Sequence, residues 1–319
     1  MQSESYVIEN KLEKLTQAKV LFNEAKYEAA LPLLDEVLSA GADNPRTLFI
    51  RGLAYERLSR IEQALADLKR ATELAPFYHG AWNELGMVQI RMGLLSEAIQ
   101  SLTAAIDASP EAYEVAQANR ATAYILSGQA ATGIRELQSL FQEKGSDSTG
   151  LLLALACLST NESEAYHGVC KEFLNRISSK SPDGTNGMAV WVCSIAPNAV
   201  SEYDELLRIA KELYDKDREF ALRLGAILFR AGKPEQALEY LLEASDATPT
   251  NNSNAAYLGY FLAMTQHALG QKDLAIDSLN KTNTFVSKEL SMGIKPPWTG
   301  QVLQELLRAE TTKVVLGEK

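Results

Sequence analysis

The chain has 319 residues, 46% hydrophobic and 23% charged, the balance of a packed protein and not of a disordered or collagen-like one. Its 31 Lys and Arg against 41 Asp and Glu give a formal net charge of -10, which disfavours non-specific binding to a phosphate backbone. The three cysteines, an odd number without C-x-x-C spacing, indicate neither a disulfide framework nor a zinc site and fit a reducing, cytoplasmic setting.

Met1-Gln2-Ser3-Glu4-Ser5 has no basic segment leading into an apolar one, so no secretory signal is expected. Residues 1–10 read as an N-terminal extension, after which small residues recur in pairs 12 positions apart. Repeat one, 11–44, has Ala18 and Ala30, and its Pro32 is expected to kink the second helix or delay its start. Repeat two, 45–78, carries Gly52, Ala64 and Pro76; repeat three, 79–112, returns Gly86, Ala98 and Pro110 at a distance of 34 residues. In repeat three, Trp82, Leu85, Gly86 and Gln89 form an i, i+3, i+4, i+7 stripe that ends at Gly93. Ala98, Ile99, Leu102, Ala105 and Ile106 then form the buried face of a second helix, capped by Ser96 and stopped by Pro110. Gly86 and Ala98 are predicted to lie where the two helices cross, because a larger side chain would push the axes beyond the usual ~8–10 Å.

Repeat four, 114–147, keeps Ala121 and Gly133, and repeat five, 149–183, keeps Ala156 and Gly168. The apolar run Leu151 to Leu158 inside it is far shorter than the roughly 20 residues of a bilayer span. In repeat six, 184–217, the slots fall on Trp191 and Tyr203, so 149–217 departs furthest from the pattern. Repeat seven, 218–251, restores it with Gly225, Ala237 and Pro249, and repeat eight, 256–289, has Ala263 and Ala275. Beyond these, Lys295-Pro296-Pro297-Trp298 reads as a stiff extended link. Residues 301–316 read as an amphipathic helix through Val302, Leu303, Leu306, Leu307 and Val314 that caps the open end over Trp298; the alternative is a detachable partner-binding helix.

Trp82, Leu85, Gly86, Ala98, Ala105 and Pro110, and Leu48, Gly52, Tyr55, Ala64, Leu68, Ala71 and Pro76, resemble the tetratricopeptide repeat signature. The resemblance implies an all-α, right-handed superhelical solenoid of about eight helix-turn-helix repeats over 11–289, with a linker and capping helix over 290–319. Trp191 to Pro197, Leu224 to Gly232, Pro297-Trp298 and Leu307-Arg308-Ala309-Glu310 are similar to the repeat region behind serine/threonine kinase domains in planctomycete-type bacteria, which implies a bacterial setting and a kinase pathway. The chain has no Gly-rich phosphate loop, H-R-D or D-F-G motif, so phosphoryl transfer by the chain itself is not expected.

In the family, the outward stripe of each first helix lines a concave groove. Carried onto this register, the groove comprises Phe49, Ile50, Leu53 and Arg57; Asn83, Met87 and Arg91; Leu222, Arg223, Phe229 and Arg230; and Tyr257, Tyr260, Phe261 and Met264. Arg57, Arg91 and Arg230 share one slot, either as a guanidinium row for acidic groups or as complements to helix dipoles. Asn119 fills one position of the family's clamp for peptide C-termini, but Val115 and Ala118 do not supply its cations. His79, His167 and His267 stand in different repeats without ligand-spaced partners, and no serine has a G-x-S-x-G setting. No catalytic site, metal or cofactor is therefore expected, and Cys157, Cys170 and Cys193 read as small buried hydrophobes.

The leading expectation is a non-catalytic scaffold that takes an extended peptide or helix of a partner protein, anchored by Phe49, Phe229, Tyr260 and Phe261. The alternatives are an assembly factor working through its ends or convex face, and the accessory region of a kinase whose catalytic domain is absent from this chain. Nucleic acid and membrane insertion are not expected.

Overall fold

The computed structural model describes residues 2–39, 44–109, 113–178, 183–247, 254–292 and 296–317. Among these there are seventeen α-helices and no strand. The chain divides into two compact bodies, Met1–Lys144 and Gly145–Lys319. The first holds α1 (Gln2–Asn23), α2 (Tyr27–Ser39), α3 (Pro45–Arg57), α4 (Ile61–Leu74), α5 (His79–Arg91), α6 (Leu95–Ala108), α7 (Tyr113–Leu126) and α8 (Ala130–Lys144). The second holds α9 (Asp147–Ser159), α10 (Ser163–Ser178), α11 (Asp183–Ser194), α12 (Asp204–Lys216), a 3-10 turn (Arg218–Phe220), α13 (Ala221–Arg230), α14 (Pro234–Ala247), α15 (Asn254–Ala268), α16 (Lys272–Ser291) and α17 (Trp298–Leu316). Consecutive helices pack as eight antiparallel pairs followed by one further helix, an all-α solenoid architecture.

Seven of the eight pairs are joined by three residues, and the middle residue always has positive φ: Ala25, Ser59, Gly93, Gly128, Asn161, Gly232 and Gly270. The third residue then donates its N–H to a carbonyl five positions back, as in Lys26 to Leu21, Arg60 to Tyr55, Leu94 to Gln89 and Lys233 to Leu228 at 2.8–3.0 Å. This closes the exposed carbonyls of the first helix and turns the chain back on itself.

Counting from the turn locates the helix crossing. A Cβ on Gly86 would lie 2.5 Å from Leu102 Cγ, one on Gly52 would lie 2.9 Å from Leu68 Cγ, and one on Gly225 would lie 2.6 Å from Leu241 Cγ. Ala64, Ala98 and Ala237 across the crossings have no exposed surface. Around each crossing the stripe closes as expected, with Leu85, Gln89, Leu102 and Ala105 buried in α5 and α6.

The same count corrects several expectations. In the fifth pair the slots fall on Ala154 and Tyr166, not Ala156 and Gly168, because the turn comes two residues earlier relative to the small residues. Gly168 is exposed with nothing within 4 Å of a Cβ there, while Tyr166 is 1% exposed. In the sixth pair Tyr203 precedes α12, because residues 195–203 form a longer connection in place of the tight turn. Pro32 lies inside α2, which starts at its regular place, and Ser96 lies within α6, whose cap position is Leu94. Pro110, Pro249 and Lys295 fall outside the described residues.

Arginines tie successive pairs together. Arg51 on α3 grips Asp67 on α4 through Nε and Nη2 at 2.7 and 2.8 Å, and reaches Asp35 on α2 through Nη1 at 2.7 Å. Arg120 on α7 repeats the device with Glu136 on α8 and Thr103 on α6. The planar fork suits this bidentate grip.

The turns carry a direct test. Ser59 adopts φ 59° where other pairs use glycine, a conformation that costs an L residue about 1–2 kcal/mol. Ser59→Gly is expected to stabilise the protein by about 1 kcal/mol in urea unfolding, and Gly93→Ala to destabilise it by a similar amount, with m unchanged in both.

Candidate functional site

In the N-terminal body the face of the first helices contains an open pocket of about 260 Å³ formed by Lys19, Phe22 and Asn23 of α1, Arg46, Phe49 and Ile50 of α3, and Tyr78. Local chemistry fixes α3 here. The Asn44 side chain accepts from the backbone N–H groups of Arg46 and Thr47 at 2.9 and 3.2 Å, and Pro45 follows as the first helical residue. Phe49 and Tyr78 meet with ring centroids 5.0 Å apart, giving the pocket an aromatic floor. Lys19 and Arg46 edge the pocket, and neither pairs with a carboxylate among the described residues.

Further along this face the expected residues are partly committed to one another. Phe49 and Leu53 are half-buried and Ile50 is 9% exposed. Asn119 of α7 donates to Asn83 of α5 at 3.0 Å, and Asn83 donates to Glu84 at 3.2 Å, a short ladder of amides beside the half-buried Met87. Arg57 and Arg91 are exposed and both pair with Glu56. Burial raises the Glu84 carboxyl above its ordinary value; Asn83's hydrogen bond opposes the shift and the charge of Glu56 adds to it.

The C-terminal body requires a correction. Tyr260, Phe261 and Met264 have no exposed surface, and Tyr257 and Leu222 are each 8% exposed, so these residues of the proposed groove are interior, while Arg223 and Phe229 are half-buried. The cause is α17. It lies along α15, touches α16 and reaches back to α9, so it covers the first-helix face and does more than cap the last pair. Its Val302, Leu303, Leu307, Thr311 and Val315 are buried, whereas Val314 faces outward and Trp298 begins the helix instead of lying beneath it.

Arg230 sits at the centre of this arrangement with only 2% of its side chain exposed. Its Nε donates to the Ser194 carbonyl at 2.8 Å and Nη2 to the Ile195 carbonyl at 2.9 Å. Nη1 and Nη2 also engage both carboxylate oxygens of Glu310 on α17. The guanidinium lies 5.6 and 5.4 Å from the ring centroids of Phe229 and Phe261. Arg230 therefore differs in role from Arg57 and Arg91, which are exposed and pair with Glu56. Glu310, 80 residues from Arg230, is a site residue that no local spacing signalled.

Arg223 stands in another pocket of about 220 Å³ with Trp191, Phe220, Leu222, Asn254 and Tyr257. Burial lowers its pKa, and its guanidinium lies 5.2 Å from the Phe220 ring centroid. Cys157, Cys170 and Cys193 are all buried and free. Among the described residues no group of three or more His, Cys, Asp or Glu could hold a metal, and no helix is long and apolar enough to cross a membrane.

Comparison with known proteins places this geometry in context. The family model for the tetratricopeptide repeat matches residues 15–79, 51–113 and 197–252. No curated protein sequence matches the chain. Among solved structures, a tetratricopeptide repeat protein from Parabacteroides merdae is 19% identical, covers 85% of this chain and 98% of its own, and has a TM-score of 0.55. PilF from Pseudomonas aeruginosa is 12% identical over 66% of this chain and 93% of its own, with a TM-score of 0.49. MamA from Desulfovibrio magneticus is 19% identical over 54% of this chain and 98% of its own, with a TM-score of 0.47.

Glu84 gives a pH test. Its folded pKa is raised, so the folded state holds the proton to higher pH than the unfolded chain does, and stability falls as pH rises through that window. Glu84→Gln is expected to raise Tm at about pH 7, with the gain shrinking toward zero below about pH 4, where both states are protonated.

Proposed function

We propose that this chain, whose residues 15–113 and 197–252 match the tetratricopeptide repeat, is a non-catalytic scaffold whose N-terminal body binds an extended peptide or a helix of a protein partner along its first-helix face. Proteins built on this repeat are in general protein-interaction scaffolds, which supports the coarse reading. The observation that carries the finer one is the pocket of Phe22, Phe49 and Tyr78 edged by Lys19 and Arg46. Aromatic anchors give most of the affinity in such contacts, and edge cations without a carboxylate partner among the described residues favour a ligand with an acidic group beside its apolar anchor. Asn83 and Asn119 extend the face with amides suited to a peptide backbone.

A partner in kinase signalling is supported by the resemblance of residues 191–232 and 297–310 to repeats found behind kinase domains. Three buried free thiols support a reducing, cytoplasmic setting.

The test is affinity capture from native lysate with wild type and a Phe49→Glu variant that keeps its circular dichroism spectrum. Loss of one defined partner, followed by a fall in its measured affinity of tenfold or more, is expected from removing a central aromatic anchor. Arg46→Glu is expected to slow association of the same partner and flatten its salt dependence. An identical partner set for wild type and Phe49→Glu would end the proposal.

A further inference from the structure

We propose that the first-helix face of residues 145–319 is a second binding site, a receptor for an amphipathic helix with a carboxylate on its apolar side, and that α17 is its resident, exchangeable ligand. This inference does not depend on the pocket of the N-terminal body.

Four observations carry it. First, α17 contacts α9 and α15 and pairs with Arg230 on α13, so it spans the first helices of three different pairs. A lid for the last pair alone would touch only α15 and α16. Second, Arg230 is held independently of α17. The Ser194 and Ile195 carbonyls accept from Nε and Nη2, and the rings of Phe229 and Phe261 flank the guanidinium. If α17 left, the cation would keep two acceptors and two aromatic faces, so the socket would stay formed and would present Nη1 and Nη2 to an incoming carboxylate.

Third, α17 fills the face incompletely. A crevice of about 240 Å³ remains between α15, α16 and α17, lined by Tyr260, Val286, Leu290, Gln304 and Arg308 among others. A helix with a larger apolar side chain at the position of Gln304 would occupy space that α17 leaves open. Fourth, the contact face of α17 is itself mixed, with Gln304 and Thr311 buried among Val302, Leu303 and Leu307. Such a face binds less strongly than a fully apolar one and favours exchange.

The resident helix therefore defines the ligand: apolar residues with the spacing of Val302, Leu303 and Leu307, then a carboxylate three positions on, as at Glu310. A partner helix of this pattern would compete with α17 by mass action and release it.

The experiment uses the full chain and a fluorescent synthetic peptide spanning residues 298–316. Glu310→Lys in the full chain places a cation against Arg230 and is expected to free the site. The peptide should then bind this variant at least tenfold more tightly than wild type, and a peptide carrying the same Glu310→Lys change should not bind. Native-state hydrogen exchange on the wild-type protein supplies a measurement independent of any variant's folding: α17 amides are expected to exchange through an opening that leaves α13 and α15 protected. If α17 opens only together with α13 and α15, it is a fixed part of the core and the proposal is overturned. Peptide binding no better for the variant than for wild type would overturn it as well. A concentration-dependent dimer of wild type that Glu310→Lys abolishes would assign the site to a second copy's α17 and overturn the partner assignment.

Discussion

The structure depends on the close approach of two helices at one small residue. Gly86 leaves Leu102 room to sit directly against the backbone of α5, and Gly52 does the same for Leu68. That contact sets the distance between the helices of a pair, and the three-residue turn sets where along the helices it falls. Once both are fixed, the outward stripe of each first helix is fixed too. The face available for binding is thus a by-product of packing: residues that cannot reach the crossing are the ones left for a ligand.

This explains which parts of the molecule were legible in the sequence. Gly52, Gly86 and Gly225 announce their crossings because a steric limit at close range leaves a compositional trace every 12 and 34 residues. The fifth pair misleads for the same reason. Ala154 and Ala156 are both small and both fully buried, so composition alone cannot choose between them. Asn161, with its positive φ in the turn, does choose, since asparagine tolerates that conformation better than most side chains and stands where other pairs use glycine. In the N-terminal body the register placed Phe49 and Ile50 on the pocket, but Lys19, Phe22, Arg46 and Tyr78 carried no repeat signal. The groove residues of the C-terminal body did not follow from the register, because the occupant of a face can come from any distance along the chain, and a sequence repeat describes only neighbours. Even so, the large apolar side chains at Tyr257, Tyr260, Phe261 and Met264 carried the signal of a covered surface; what they did not reveal was that the cover was the chain's own last helix.

The two bodies therefore use one scaffold in two chemical ways. In the first, the edge cations Lys19 and Arg46 have no carboxylate partner among the described residues, and the aromatic side chains of the floor are half-buried. In the second, the cation is interior and paired, and aromatic rings flank it. The difference arises from a single carboxylate on α17 and from the loss of the tight turn after α11. Because α11 ends at Ser194 and a longer irregular connection follows in place of the tight turn, the Ser194 and Ile195 carbonyls are free to accept from Arg230.

That unsealed end of α11 bears on how the protein comes apart. Tyr166 on α10 donates to the Val192 carbonyl at 2.8 Å and accepts from the Ala196 N–H at 3.3 Å, while Arg230 on α13 takes the Ser194 and Ile195 carbonyls. In an array whose pairs touch only their neighbours, melting can begin at any pair and spread by independent steps. Here the fifth and seventh pairs each send a side chain to the end of α11 in the sixth, and withdrawing α10 or α13 strands backbone polar groups there. The α11 end thus ties α10 and α13 together by hydrogen bonds as well as by helix packing. A repeat that looks degenerate in sequence has become the region where the modules are no longer separable.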